Sequence, residues 1–168
     1  RETANASEGK PARIIAKVNS LSNQTIIDKL YLASQAGVRI DLIVRGVCCL
    51  RPGVPEMSEN ITVRSILDRY LEHSRLFYFE NGGQPETWLS SADWMTRNLT
   101  RRIEVMCPVK SPGTRDSLIR ILQLHMKDTT KARHLQSTGQ YTRSPEGTPP
   151  FRSQFAASSI KSWKKSRG

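Results

Sequence analysis

"ARIIAKVNSLSNQTIIDKLYLASQAGVRIDLIV", residues 12–44, decides the fold. It opens with a β-branched run from Ala12 to Val18, bounded by a polar turn, and this predicts a strand. Ser22 or Asn23 then offers a helix N-cap. Ile26, Ile27, Leu30 and Tyr31 recur at helical spacing, and Gly37 closes the segment. A second β-branched run, Val38–Val44, follows after a two-residue link. Strand, helix and strand joined so tightly form a βαβ unit, which predicts two parallel strands with a right-handed crossover.

Outward from that unit, the second strand runs into "RGVCCLRPGVP", a glycine- and proline-rich loop. Open α/β sheets bind ligands at such carboxyl edges, and Arg45 sits there. "NITVRSIL" is a shorter strand candidate. "HSRLFYFENGG", "TWLSSAD" and "RRIEVMCPV" read as three more, the last with Ile103, Val105 and Cys107 alternating. Gly82-Gly83 reads as a hairpin turn. Several strands after one βαβ unit imply a mixed sheet. A second helix starts at Pro112-Gly113-Thr114 and places Leu118, Ile121, Leu122 and His125 on one face. The following stretch is polar and turn-rich, and disorder is expected after Phe155.

The chain has 168 residues, which suits one compact domain with tails. No apolar run is long enough to span a bilayer. The opening "RETANASEGK" lacks the apolar core of a signal peptide, and the first residue is arginine, so the chain reads as a fragment. Cys48, Cys49 and Cys107 fit neither a disulfide framework nor a zinc spacing and read as small buried hydrophobes. Asn-x-Thr sequons begin at Asn23, Asn60 and Asn98, and without a secretory signal they carry little weight. Net charge is +11. From Lys127 onward, nine Lys/Arg against two Asp/Glu leave +7 of it in the last part of the chain. That end can bind polyanions or simply be a solvated, disordered tail.

The chemistry concentrates at the "HSRLFYFE" segment. On a strand, His73, Arg75, Phe77 and Phe79 share one face, and Ser74, Leu76 and Tyr78 the other. An imidazole exchanges protons near neutral pH, and a guanidinium forks two phosphate oxygens. Together they suit phosphoryl chemistry; a half-exposed pair snorkelling at a sheet edge is the plainer alternative. His73-x-Arg75, four residues and Glu80 resembles the phospholipase D signature, His-x-Lys, four residues, Asp. "SSAD", ending at Asp93, stands where that signature has Gly-Ser-x-Asn. A carboxylate at Asp93 is expected to orient the His73 imidazole.

Over residues 10–143 the chain resembles the C-terminal catalytic domain of bacterial polyphosphate kinase of the phosphohistidine type. "VRGVCCLRPG", "YLEHSR" and "SADWMTRN" are its most specific stretches. The resemblance implies an α/β, phospholipase-D-like mixed sheet flanked by helices, with a polar basic C-terminal tail. It divides the chain into a linker at 1–10, the domain at 11–143 and the tail at 144–168. It implies an ATP–polyphosphate phosphotransferase in which Arg45 contacts the ATP phosphates and His73 assists at the moving phosphoryl group. The phosphorylated histidine belongs to a preceding domain, so this domain supplies half of the site. Mg²⁺ is expected to arrive mainly with ATP and through that other domain, with no metal ligand in this chain.

The implied partners are ATP or ADP and inorganic polyphosphate, with a homo-oligomer for the full-length protein, no specific nucleic acid and no transmembrane segment. The implied location is cytoplasmic, with membrane association open. Arg75, Glu80, Asp93, Lys17 and Arg97 are supporting candidates, and Arg64, Arg101 and Arg102 are candidates to line a polyphosphate channel. Arg102 can equally pair with Glu104. His125 and His134 are expected to be a packed and a surface residue, and Trp88 and Trp94 core. A phospholipase-D-like phosphodiesterase or nuclease, and a non-catalytic polyanion-binding module, are the competing functions.

Overall fold

A computed structural model of the chain describes residues 1–158. In chain order the elements are α1 (Glu2–Ser7), β1 (Arg13–Val18), α2 (Gln24–Gln35), β2 (Arg39–Val44), β3 (Ile61–Ile66), β4 (Arg75–Phe79) and β5 (Glu86–Ser90). They continue as α3 (Thr96–Thr100), β6 (Met106–Pro108), α4 (Pro112–Lys127), β7 (Ala132–Leu135), β8 (Tyr141–Thr142) and α5 (Ser153–Ser158). The strands form one mixed sheet in the order β6-β5-β4-β1-β2-β3-β7-β8.

The βαβ unit folds as its sequence predicts. Asn23 caps α2, its side chain accepting from the Ile26 amide at 3.0 Å. β1 and β2 are parallel with Val18 opposite Val44, and β3 adds in parallel to β2. β4 lies antiparallel on the other side of β1. Alternation then gives the sheet two buried faces. Ala16, Val18, Leu42, Val44 and Phe77 join Ile27, Leu30 and Ala33 of α2. Ile15, Ile43, Ile66 and Leu76 pack with Leu122 of α4. Trp94 stacks on Phe77 at 5.2 Å between ring centroids. The predicted hairpin turn is present: Asn81, Gly82 and Gly83 all adopt positive φ between β4 and β5.

Four expectations need correction. The first strand of the site begins at Arg75, not at His73. Its partner runs out: the β1–β4 ladder ends at Lys17 opposite Leu76, and the next amide, Asn19, donates to the Asp93 carboxylate instead. The expected "RRIEVMCPV" strand shrinks to Met106–Pro108. Ile103 is fully exposed, and the Val105 amide is taken by the Ser91 hydroxyl rather than by a ladder.

Residues 1–10 are not a loose linker. Glu2 is buried, and its carboxylate accepts from the Arg13 amide at 3.0 Å and the Asn81 amide at 2.8 Å. Nor does order stop at 143: α5 docks on α4, with Ser153 and Gln154 buried. The rest of the basic tail, residues 159–168, lies outside the described residues. The missed pieces, β7 and α5, are held by polar bonds that hydrophobic periodicity does not report. Asp128, 1% exposed, accepts from the amides of Lys131 (2.7 Å), Ala132 (3.1 Å) and Ser153 (2.7 Å) and from the Ser153 hydroxyl (2.7 Å).

Asp128→Ala strands those donors in a dry site. The expected loss is about 3 kcal/mol, seen in urea titration as a lower midpoint with an unchanged slope.

Candidate functional site

The carboxyl ends of parallel β1 and β2 meet the amino end of antiparallel β4 at one sheet edge. Four segments deliver side chains there: Asn19 just past β1, Arg45 just past β2, His73 to Arg75 at the start of β4, and Asp93 shortly after β5. The register that sets Val18 beside Val44 sets Asn19 beside Arg45, and Arg45 Nε donates to Asn19 Oδ1 at 3.1 Å. Asn19 in turn donates to Asp93, through its amide at 2.7 Å and through Nδ2 at 3.1 Å. Asp93 also receives the Arg75 fork, Nε at 3.1 Å and Nη2 at 2.9 Å. Arg75 Nη1 closes the chain on the His73 carbonyl at 3.1 Å.

This corrects two expectations. Arg75 does not present a free fork; it is spent on Asp93. Asp93 does not orient the His73 imidazole; a planar carboxylate is the better match for a planar guanidinium. Burial by itself would push the Asp93 carboxyl up, but the Arg75 bond, the Asn19 amide and the Arg75 charge outweigh it and hold it below the usual range. The groups left facing outward are the exposed His73 ring and the Nη groups of half-buried Arg45, which have no partner among the described residues.

Glu80 lies at the opposite end of β4, where it accepts from the Tyr78 hydroxyl at 2.5 Å, so it is not part of this edge. Burial and then Glu80 push that phenol up to about 12. Arg97 is exposed on α3 and takes no part in the network. Arg64 points inward and donates to the Met126 carbonyl. The Arg102–Glu104 pair does not form; Glu104 accepts from Ser91 and from Asn98.

Lys17 does not open onto the site either. Alternation sends it to the α4 face, where it is 1% exposed and its ammonium is lowered from the usual range by burial. It donates to the Ser74 hydroxyl at 2.9 Å and carbonyl at 3.2 Å, and pairs with Glu72 at 3.1 Å. His125, packed as expected, completes a junction. Its Nδ1 faces the Ile121 carbonyl at 2.8 Å and its Nε2 the Glu72 carboxylate at 3.0 Å. Gln154 Nε2 donates to the other Glu72 oxygen at 2.7 Å. Burial opposes ionisation of Glu72, but the bonds from His125 and Gln154 and the charges of His125 and Lys17 prevail, bringing its pKa down to about 2.

Asn19, Glu72 and Gln154 were not found from sequence. For Asn19 a signal existed: it holds the same place after the first parallel strand that Arg45 holds after the second.

A mixed sheet with helices on both faces and a basic, partly open edge defines a phospholipase-D-like domain. The fold likeness is direct: Nuc, a phospholipase D family member from Salmonella typhimurium, superposes with a TM-score of 0.54 at 15% identity, covering 84% of this chain and 89% of that one. The model of the polyphosphate kinase C-terminal domain 2 matches residues 1–154. A Synechocystis polyphosphate kinase is 51% identical over 164 residues, 95% of this chain and 22% of that protein. The crystal structure of polyphosphate kinase from Porphyromonas gingivalis aligns with a TM-score of 0.89 and 45% identity, over 93% of this chain and 24% of that one. The chain therefore belongs to the polyphosphate kinase C-terminal domain 2 family. It spans about a fifth of the length of the curated relatives it matches. Among the described residues, no helix is long and apolar enough to cross a membrane.

Because the folded pKa of Glu72 lies below its ordinary 4.5, its contribution to stability is present above pH 4.5 and is lost as pH falls toward about 2. Glu72→Ala removes the counter-charge of buried Lys17 and the hydrogen-bond partner of buried His125. It is expected to cost about 3–5 kcal/mol at neutral pH in urea unfolding, and to flatten the acid limb of stability between those pH values.

Proposed function

We propose that this domain supplies one half of an ATP–polyphosphate phosphotransferase site, with Arg45 and His73 as its working groups. The observation that carries the reading is their shared edge: a guanidinium with Nη groups unpartnered among the described residues and an exposed imidazole, beside an Arg75–Asp93 pair that is already closed. The terminal phosphate of ATP passes to a histidine in a preceding domain and from there to the end of a polyphosphate chain, and the sequence runs in reverse with ADP. Such transfer needs placement and charge stabilisation above all. Arg45, held at Nε by Asn19, presents its Nη groups to the triphosphate oxygens and keeps them in line. His73, opposite the attacking nucleophile, shares a proton with the leaving oxygen as the bond to phosphorus breaks.

Magnesium, which the resemblance implies, would neutralise phosphate charge. The residues of this edge do not fit a resident ion. Among the described residues no group of three His, Cys, Asp or Glu could hold a metal, and Asp93 is committed to Arg75 and Asn19. A cytoplasmic location and a homo-oligomeric full-length protein belong to the same reading. The phosphodiesterase alternative loses ground because Arg75, which stands where the signature has its free lysine, is locked to Asp93.

In the full-length kinase, His73→Ala is expected to lower kcat for polyphosphate synthesis by roughly 10²-fold or more. Arg45→Ala is expected to raise KM for ATP by about 10-fold, the loss of one charge-assisted bond. The purified chain alone should make no polyphosphate from ATP and Mg²⁺; robust turnover by it would overturn the half-site reading.

A further inference from the structure

The loop from Leu67 to Ser74 has no strand to pair with, and most of it is exposed. A loop so placed is ordinarily mobile. Yet the backbone beside the His73 ring is bonded on every side. The His73 amide donates to the Leu71 carbonyl at 3.0 Å, and its carbonyl accepts from Arg75 at 3.1 Å and Asn19 at 3.5 Å. The residue before it, Glu72, is gripped by Lys17 of β1, His125 of α4 and Gln154 of α5. The residue after it, Ser74, is gripped by the same Lys17. Further back, Gln154 pairs with Tyr70 in both directions, accepting from its amide at 3.0 Å and donating to its carbonyl at 2.8 Å. Arg152 holds Asp68 at 2.8 Å.

A junction of one carboxylate with two bases under cover is a poor way to gain stability; apolar packing of similar volume usually does as well or better. What it does supply is fixed direction from three separate elements. It converges on the two residues that flank the one side chain in the loop that must be aimed. We propose that Glu72 is a positioning residue for His73, and that Gln154 of α5 latches the loop so that the His73 ring meets the phosphoryl group in one orientation. This rests on the reading that His73 works at that group. The C-terminal helix thereby becomes part of the catalytic apparatus without touching substrate. Misplacement of a catalytic group by about 1 Å can cost about 10²-fold in rate, so a partial loosening should be visible in kcat.

The test uses Gln154→Ala, which leaves the Lys17–Glu72–His125 charges intact, together with Glu72→Gln, which keeps the shape and removes the charge. In the full-length kinase, Gln154→Ala is expected to lower kcat about 10-fold with KM for ATP within about two-fold, and Glu72→Gln to lower kcat further. In this chain, the His73 ring Cε1–H resonance should broaden or split in both variants, while amide resonances away from residues 67–75 and from the immediate neighbours of the substituted residue keep their positions in Gln154→Ala. If His73→Ala cripples the kinase but both variants keep wild-type kcat and a sharp His73 resonance, positioning is overturned and the functional reading stands. If His73→Ala leaves kcat unchanged, the functional reading fails. The resonance then decides alone: broadening supports the latch, and an unchanged line sinks it. Should Glu72→Gln not fold, Gln154→Ala carries the test.

Discussion

Asp93 accepts an amide and a side-chain bond from Asn19 and a two-pronged bond from Arg75, and every group at the site edge is placed relative to that carboxylate. Through Asn19 it reaches Arg45 on the next strand, and through Arg75 it reaches the His73 carbonyl. The two groups that face outward therefore come from different strands but share one anchor. At 8% exposure the anchor is dry enough for these charge-assisted bonds to be strong and for any missing partner to be costly. The edge is a rigid frame with two free ends.

A second carboxylate, half-buried Glu72, performs the same office for the loop before β4. The two networks meet at the loop before β4: Asp93 through Arg75 takes the His73 carbonyl, and Glu72 with Lys17 takes the residues on either side. β1 and its immediate continuation supply a residue to each network. Along β1, Val18 points to the α2 face and Lys17 to the α4 face. One strand thus feeds both networks within three residues, Lys17 to Asn19.

The parts legible in sequence were those with local causes. The cap at Asn23, the β-branched runs either side of α2 and the glycine pair at 82–83 each act through neighbours a few residues away, and each appears where expected. That Arg45 and His73 lie at one open sheet edge was legible through the loop signal and the motif resemblance. The fate of Arg75, Asp93 and Lys17 was not, because it depends on which of several nearby opposite charges wins, and that is settled by sheet register rather than by spacing. Glu80 shows the converse error: four residues along a strand carry a side chain to the far edge of the sheet, so proximity in a motif meant distance in space. Gln154 was invisible because its partners, Tyr70 and Glu72, lie more than 80 residues upstream.

Arginine at position 75 explains why the site is built this way. A lysine there, as in the His-x-Lys signature, would offer a compact ammonium that can leave its carboxylate for a phosphate. Arginine beside Asp93 finds a planar partner that satisfies two of its donors at once and a carbonyl that takes a third, at half-buried exposure. Such a fork has little to gain by letting go. Arg75 is thereby scaffold, whereas Arg45 is tethered at Nε alone and its Nη groups have no partner among the described residues. Asp93 fixes Arg75 in that role, and Asn19 carries the same anchor to Arg45 on the next strand.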